Sequence, residues 1–302
     1  MVGPNLPMDV QLNVDASAGP FADLMHQWMD VVSATVRPQF RAGLEAGADG
    51  GLPGQPFGTL EVCARRALEG PWSPDGLAWL GETLRRELPS RTRLWFGVRD
   101  VSGYQAGQVL DINARIDAEE SPGWLTLAGH PLERDLLDPA GGAEEQRRWL
   151  DALFQFADRT NPGFGHISPY YDGGTTALEG AVPPAGRPFV ARYQEYAVNE
   201  CRSYLRGYSW VTIVAQELLP KLGGVERLVE SKAFADVRPL AAGGVWLQAT
   251  ADYRNYDDAA IELVFEAVAP ALRPGLPRWT EPHAGEHPYR LAFRDAAELG
   301  AR

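Results

Sequence analysis

The sequence predicts an α+β fold, with mixed, largely antiparallel sheets and packed helices. Three observations predict it. Strict two-residue alternation, as in Leu110, Ile112, Ala114 and Ile116 against Asp111, Asn113, Arg115 and Asp117, marks strands with one wet face. Helical spacing, as in Ile261, Val264, Phe265, Val268 and Leu272, marks amphipathic helices. The two patterns do not take turns regularly, which argues against a βαβ repeat. A chain of 302 residues suits one large domain or two ordinary ones. It can bury a core without disulfides or a metal.

Residues 8–14, "MDVQLNV", alternate and read as a first strand. Phe21, Leu24, Met25, Trp28, Val32 and Val36 then share a helix face, which Pro38 limits. Residues 43–58 are rich in glycine and proline and read as a loop. Ser73 and Pro74 look like an N-cap and a first-turn proline, opening a helix with Leu77, Leu80, Leu84 and Leu88 on one side. Strands follow through Leu94, Phe96 and Val98, through 110–116, and through "GWLTLAG" at 123–129. Residues 143–158 return to helical spacing, and "FGHISPYY" at 164–171 reads as a strand.

Composition shifts at 172–188, which suggests a boundary between an N-terminal half (1–172) and a C-terminal half (173–302) of loosely similar rhythm. A helix is expected over 189–203 and a strand over 207–214. Helices are expected around 215–232, strands at 235–240 and 243–250, and a helix at 258–272. The tail after Pro274 has little periodicity.

The formal net charge is -12, from 28 basic and 40 acidic residues. That balance repels phosphate backbones and anionic lipid, so neither nucleic acid nor membrane is an expected partner. No window approaches the ~18 apolar residues of a membrane span. The first residues lack the basic and apolar regions of a signal peptide. Cys63 and Cys201 belong to no CxxC or Cys/His cluster, so no structural metal is expected, and two free thiols fit the cytoplasm. No glycine-rich nucleotide loop follows a strand, and no cofactor is expected.

Ser209 in "GYSWV" raises the question of a hydrolase. A nucleophile elbow needs glycine on both sides of the serine, and Val211 stands where the second would be. A core strand is the better reading. His166, in "GFGHISPYYDGG", lies near phenols, a carboxylate and flexible glycines, which suits a site edge. His283 and His287 have i, i+4 spacing, but Pro282, Gly285 and Pro288 oppose a helix there, so loop histidines are expected. Asp257 or Asp258 reads as the cap of the helix that follows, and with Asp252 matches no calcium loop. Trp95, Trp124 and Trp246 sit at strand positions that can face away from the core, and such aromatics are enriched in protein interfaces.

The stretches "RGYSWVTIVAQELLPKLGG" and "KAFADVRPLAAGGVWLQAT" resemble a bacterial family of unknown function grouped with the immunity proteins of type VI secretion. The matching residues are Gly207, Tyr208, Trp210, Leu222, Gly223, Gly224, Gly243, Gly244, Leu247 and Gln248, in the last third of the chain. The resemblance implies a cytoplasmic protein that binds and neutralises a toxin or effector, and it carries over no catalytic residue. The expectation is therefore a non-enzymatic binding protein, with a surface around His166, Tyr170, Tyr171, Tyr208 and Trp210. The alternative is a hydrolase-type enzyme with its site near His166 or Ser209. A scaffold in a larger bacterial assembly is a third reading.

Overall fold

The computed structural model describes residues 6–35, 56–63, 67–87, 89–99, 105–116, 121–169, 176–179, 198–277 and 290–300. Among them, ten strands form one sheet: β1 (Asp9–Asp15), β2 (Pro56–Cys63), β3 (Ala67–Pro71), β4 (Arg91–Arg99), β5 (Gln105–Ile116), β6 (Trp124–His130), β7 (Phe164–Ser168), β8 (Val211–Val214), β9 (Asp236–Pro239) and β10 (Val245–Gln248). Their order is β3-β2-β4-β5-β6-β1-β7-β8-β10-β9, and every neighbouring pair is antiparallel. The helices are α1 (Phe21–Ser33), α2 (Pro74–Glu87), α3 (Glu133–Leu137), α4 (Gly142–Ala157), α5 (Gly224–Glu230), α6 (Asp258–Val268) and α7 (Ala297–Gly300). The class is α+β. Among the described residues, no helix is long and apolar enough to cross a membrane.

The period of two in each strand sorts side chains onto two faces. One face carries Val10, Leu12 and Val14 of β1, in register with Gly129, Leu127 and Leu125 of β6. Leu94 and Phe96 of β4 extend it, opposite Ile112 and Leu110 of β5. Helices α1 and α4 lie on this face. Trp28 of α1 is fully buried, donates its indole N–H to the carbonyl of Ala128 at 3.0 Å, and meets Phe156 of α4 edge-on. Phe154 of α4 meets Trp246 of β10 in the same way. The helix starts follow local chemistry. Ser73 Oγ accepts the N–H of Gly76 at 2.9 Å, and Asp257 Oδ1 accepts that of Ala260 at 3.0 Å.

The structure departs from the sequence reading in three places. Residues 56–58, expected in a loop, begin β2, whose Leu60 and Val62 are core residues. Gly58 stands where a Cβ would lie 2.7 Å from Trp72 Cβ, so this glycine serves close approach rather than a turn. The strand expected over 207–214 shortens to β8, with 207–210 outside any strand yet buried. Residues 199–203, expected to end a helix, are turns. Most of 172–188 and 189–197 lies outside the described residues, and the sheet itself continues from β7 to β8.

Gly129 faces the rings of α4, where a Cβ would lie 2.8 Å from Trp149. Trp149 is buried and cannot swing into solvent. Gly129→Ala is therefore expected to destabilise the fold by about 1–3 kcal/mol through overpacking, read as a lower urea midpoint with an unchanged slope.

Candidate functional site

Strand β1 alternates as the sequence predicts, but both of its faces are buried. Asp9, Gln11 and Asn13 point away from the helices and are nevertheless almost inaccessible. Polar groups at the centre of a sheet need partners, and these come from neighbouring strands. Asp9 has a histidine on each side. His166 Nε2 of β7 lies 2.8 Å from Asp9 Oδ2, and His130 Nε2 of β6 lies 3.4 Å from Asp9 Oδ1. His130 Nδ1 lies 3.9 Å from Asp111 Oδ2 of β5. Arg93 of β4 grips both oxygens of Asp111 at 2.9 Å. Burial pushes the Asp9 carboxyl up, but attraction to His166 and hydrogen bonds from both imidazoles outweigh it. The carboxyl is held well below the usual carboxylate range.

Further along the same face, Asn13 Nδ2 donates to Thr126 Oγ1 at 3.0 Å, while Asn13 Oδ1 accepts from Arg206. Arg206 is buried, donates to Glu179 Oε1 at 2.7 Å, and lies 5.1 Å from the centroid of Phe164. Arg202 bridges Asp15 and Glu217 and lies 5.5 Å from the centroid of Trp124. These arginines pin the segment after 198 across the polar face of β1, β6 and β7.

The residues singled out by sequence fall into separate places. His166 is in the cluster, partly exposed, with Nε2 on Asp9. Tyr170 and Tyr171 lie outside the described residues, as do His283 and His287. Tyr208 and Trp210, expected at a binding surface, are core side chains, and this corrects that expectation. Tyr208 Oη accepts the N–H of Ala292 at 2.8 Å, tying down the C-terminal segment, and burial pushes its phenol up. Trp210 donates to the carbonyl of Thr250 at 2.9 Å and packs on Tyr253. Ser209 is buried in the bend before β8, where its N–H donates to Thr212 Oγ1 at 3.0 Å. The Cys201 thiol is pushed up to about 12 by burial, which leaves it protonated and inert. Among the described residues, no group of three His, Cys, Asp or Glu is placed to hold a metal ion.

Of the three strand tryptophans, Trp246 is fully buried, whereas Trp95 and Trp124 are half-buried on the polar face. Trp95 centres a platform that the sequence reading did not assemble. Its indole N–H donates to Glu61 Oε1 of β2 at 2.8 Å. Phe57 of β2 meets its ring edge-on at 5.0 Å, and Arg93 lies 5.9 Å from its centroid. Phe57, Glu61, Arg93 and Trp95 are all half-buried, so this wing of the sheet is the open part of the polar face. On the other side of the sheet, a groove of about 370 Å³ runs between α4 and β9–β10, lined by Gln146, Arg147, Asp236, Gln248 and Asp252. None of the histidines lines it.

No family model matches the chain. The chain is 36% identical over 98 residues to the ribosomal RNA large subunit methyltransferase K/L of Alcanivorax borkumensis. That stretch covers 32% of this chain and 14% of that protein, an extent that places the chain in no family.

Asp9 generates a pH dependence of definite sign. Its folded value lies below its ordinary 3.8, so its contribution to stability is complete above that value. The contribution is lost as pH falls through 3.8 toward the folded value. Asp9→Asn is expected to cost about 1.5–3 kcal/mol at neutral pH, because two imidazoles lose a charged partner. It should also flatten the acid limb of the stability profile, measured by urea unfolding across pH.

Proposed function

We propose that this chain is a non-enzymatic, cytoplasmic binding protein that captures and neutralises a partner protein, a toxin or effector. The observation that carries the reading is the Trp95 platform. It combines two aromatic rings, an arginine already neutralised by Asp111, and a carboxylate, half-open on a sheet wing. Tryptophan, tyrosine and arginine dominate the energetics of protein interfaces, and a rigid sheet presents them at little entropic cost. The net charge of -12 supports a basic partner, since opposite charge speeds encounter. The same charge opposes a phosphate backbone, so the partial similarity to a ribosomal RNA methyltransferase does not redirect the reading toward RNA. The resemblance of the last third to immunity proteins points the same way. The geometry offers the hydrolase alternative little support, because Ser209 is buried and engaged by Thr212.

Affinity capture of the tagged protein from its own host, with mass spectrometry, identifies the partner. Trp95→Ala is then expected to weaken the isolated complex about 30-fold or more, as loss of a hot-spot tryptophan of about 2 kcal/mol does. Expression of the partner alone should arrest growth, and co-expression of this chain should restore it. A complex whose affinity survives Trp95→Ala in a folded variant would remove the platform from the interface. A partner that is harmless alone would remove the neutralising role.

A further inference from the structure

The two ends of the sheet are built differently. At one end, β9 satisfies its own charges: Arg238 pairs with Asp236 at 2.7 Å and lies 3.8 Å from the centroid of Phe154. At the other end, β3 pairs only with β2 among the described residues. Its hydrogen-bond phase is set by Trp72, whose N–H donates to the carbonyl of Gly58 at 2.9 Å. That bond continues the register of β2 and β3. Leu60 with Gly70 and Val62 with Leu68 are therefore the hydrogen-bonded pairs, and Glu61 with Glu69 is a close pair without such bonds. It follows that the N–H and C=O groups of Ala67 and Glu69, and the C=O of Pro71, point to the outer edge.

Two carboxylates thus face each other where cross-strand side chains come closest, an arrangement that destabilises a sheet. No arginine of β4 forms an ion pair with either one. Arg93, opposite Glu61, is turned to Asp111, and Arg91 stands opposite Cys63. Glu61 gives one oxygen to the indole of Trp95, and Glu69 is exposed and meets no cation among the described residues. Small side chains, Ala67 and Pro71, flank Glu69 on the same face, so a long side chain arriving at the edge can lie across β3 toward Glu61. On the other face Leu68 and Gly70 are half-buried, and a Cβ at Gly70 would stand 3.5 Å from the ring of Trp79 on α2.

We propose that β3 is the docking edge for an extended segment of the partner in which basic and apolar side chains alternate. The segment adds a strand beyond β3. Its residue opposite Glu69 exchanges main-chain bonds with it, and the basic side chain of that residue lies across β3 between the two carboxylates. The apolar residues on either side meet Leu68 and the edge of Trp79. Main-chain bonds supply affinity, and the carboxylate pair selects the side chain. Docking gains from relief of the repulsion between Glu61 and Glu69 as well as from the new attraction. A second copy of this chain is the wrong occupant, because its own β3, "ALEGP", offers a carboxylate and no basic residue. The identity of the partner rests on the function proposed above; the chemistry of the edge is tested without it.

The test is amide hydrogen exchange, read by nuclear magnetic resonance on the full-length protein, alone and with a synthetic peptide of about nine residues alternating lysine and valine. In the free protein the Glu69 amide should exchange at least about tenfold faster than those of Leu68 and Gly70. The lysine peptide, at up to about 1 mM, should slow it toward them, and a glutamate–valine peptide of the same length should leave it unchanged. Glu69→Gln should raise the urea midpoint of the free protein, because the like-charge pair is gone, and weaken the lysine peptide at least about threefold. A Glu69 amide already protected in the free protein, slowed by raising the concentration of this protein alone, or indifferent to the lysine peptide overturns the proposal. So does equal protection by both peptides, or a Glu69→Gln variant that binds the lysine peptide as the wild type does. With the partner in hand, a complex that protects other amides of this wing but not Glu69 overturns the docking edge and leaves the proposed function standing. A lysine peptide that docks as expected, beside a partner that is harmless alone, leaves the docking edge standing and removes the neutralising role.

Discussion

Asp9 is an ionised carboxylate at the middle of a ten-stranded sheet, and much of the molecule follows from neutralising it there. A buried charge is tolerated only when paired and hydrogen-bonded. Both strands beside β1 therefore carry an imidazole at the level of Asp9, and the next strand out carries Asp111 with its own arginine. That polar row denies the face to an apolar helix. The helical layer forms on the opposite side, over Val10, Leu12 and Val14, where α1 and α4 bury their tryptophans. Toward β8 and β10 the polar face turns apolar, through Val214, Val245 and Leu247, and there both faces are core.

Periodicity made most elements legible. The alternation in "MDVQLNV", in 110–116 and in "GWLTLAG" marks β1, β5 and β6, and the aliphatic stripe from Ile261 marks α6. The β2–β3 hairpin escaped because its glycines and prolines resemble loop residues. Gly58 in fact makes room for Trp72, whose Cβ lies 2.7 Å from where a Cβ on residue 58 would stand. The end of the strand at 207–214 escaped for the opposite reason. Every residue of 207–214 is buried, so hydrophobicity carried no sign of where pairing begins.

The candidate site was legible only in part. His166 could be picked out from its phenols and glycines, but its partner Asp9 is 157 residues away in sequence. Only the strand order β6-β1-β7 brings the two histidines to one carboxylate, and period-two patterns do not encode strand order. Parity alone does place Asp9, His130, His166 and Asp111 at alternating positions opposite the aliphatic face of their strands. The missing information was which strands are neighbours, a property of the long-range packing and not of any one segment.

Trp28, Trp210 and Trp95 show the same residue type in two settings. Trp28 and Trp210 donate to backbone carbonyls of other segments, at Ala128 and Thr250, and their rings are fully enclosed. Such a bond fixes two parts of the chain to each other, and the ring becomes filler between them. Trp95 donates instead to Glu61, a side chain of the adjacent strand on the same sheet face. Its polar atom is satisfied on the sheet face, and the ring is half-open beside Phe57 and Arg93. The same reasoning places Tyr208, whose Oη accepts the N–H of Ala292, with the ties rather than the contacts. In this protein several of the aromatic side chains hold segments together, whereas Trp95 is left half-open on the polar face.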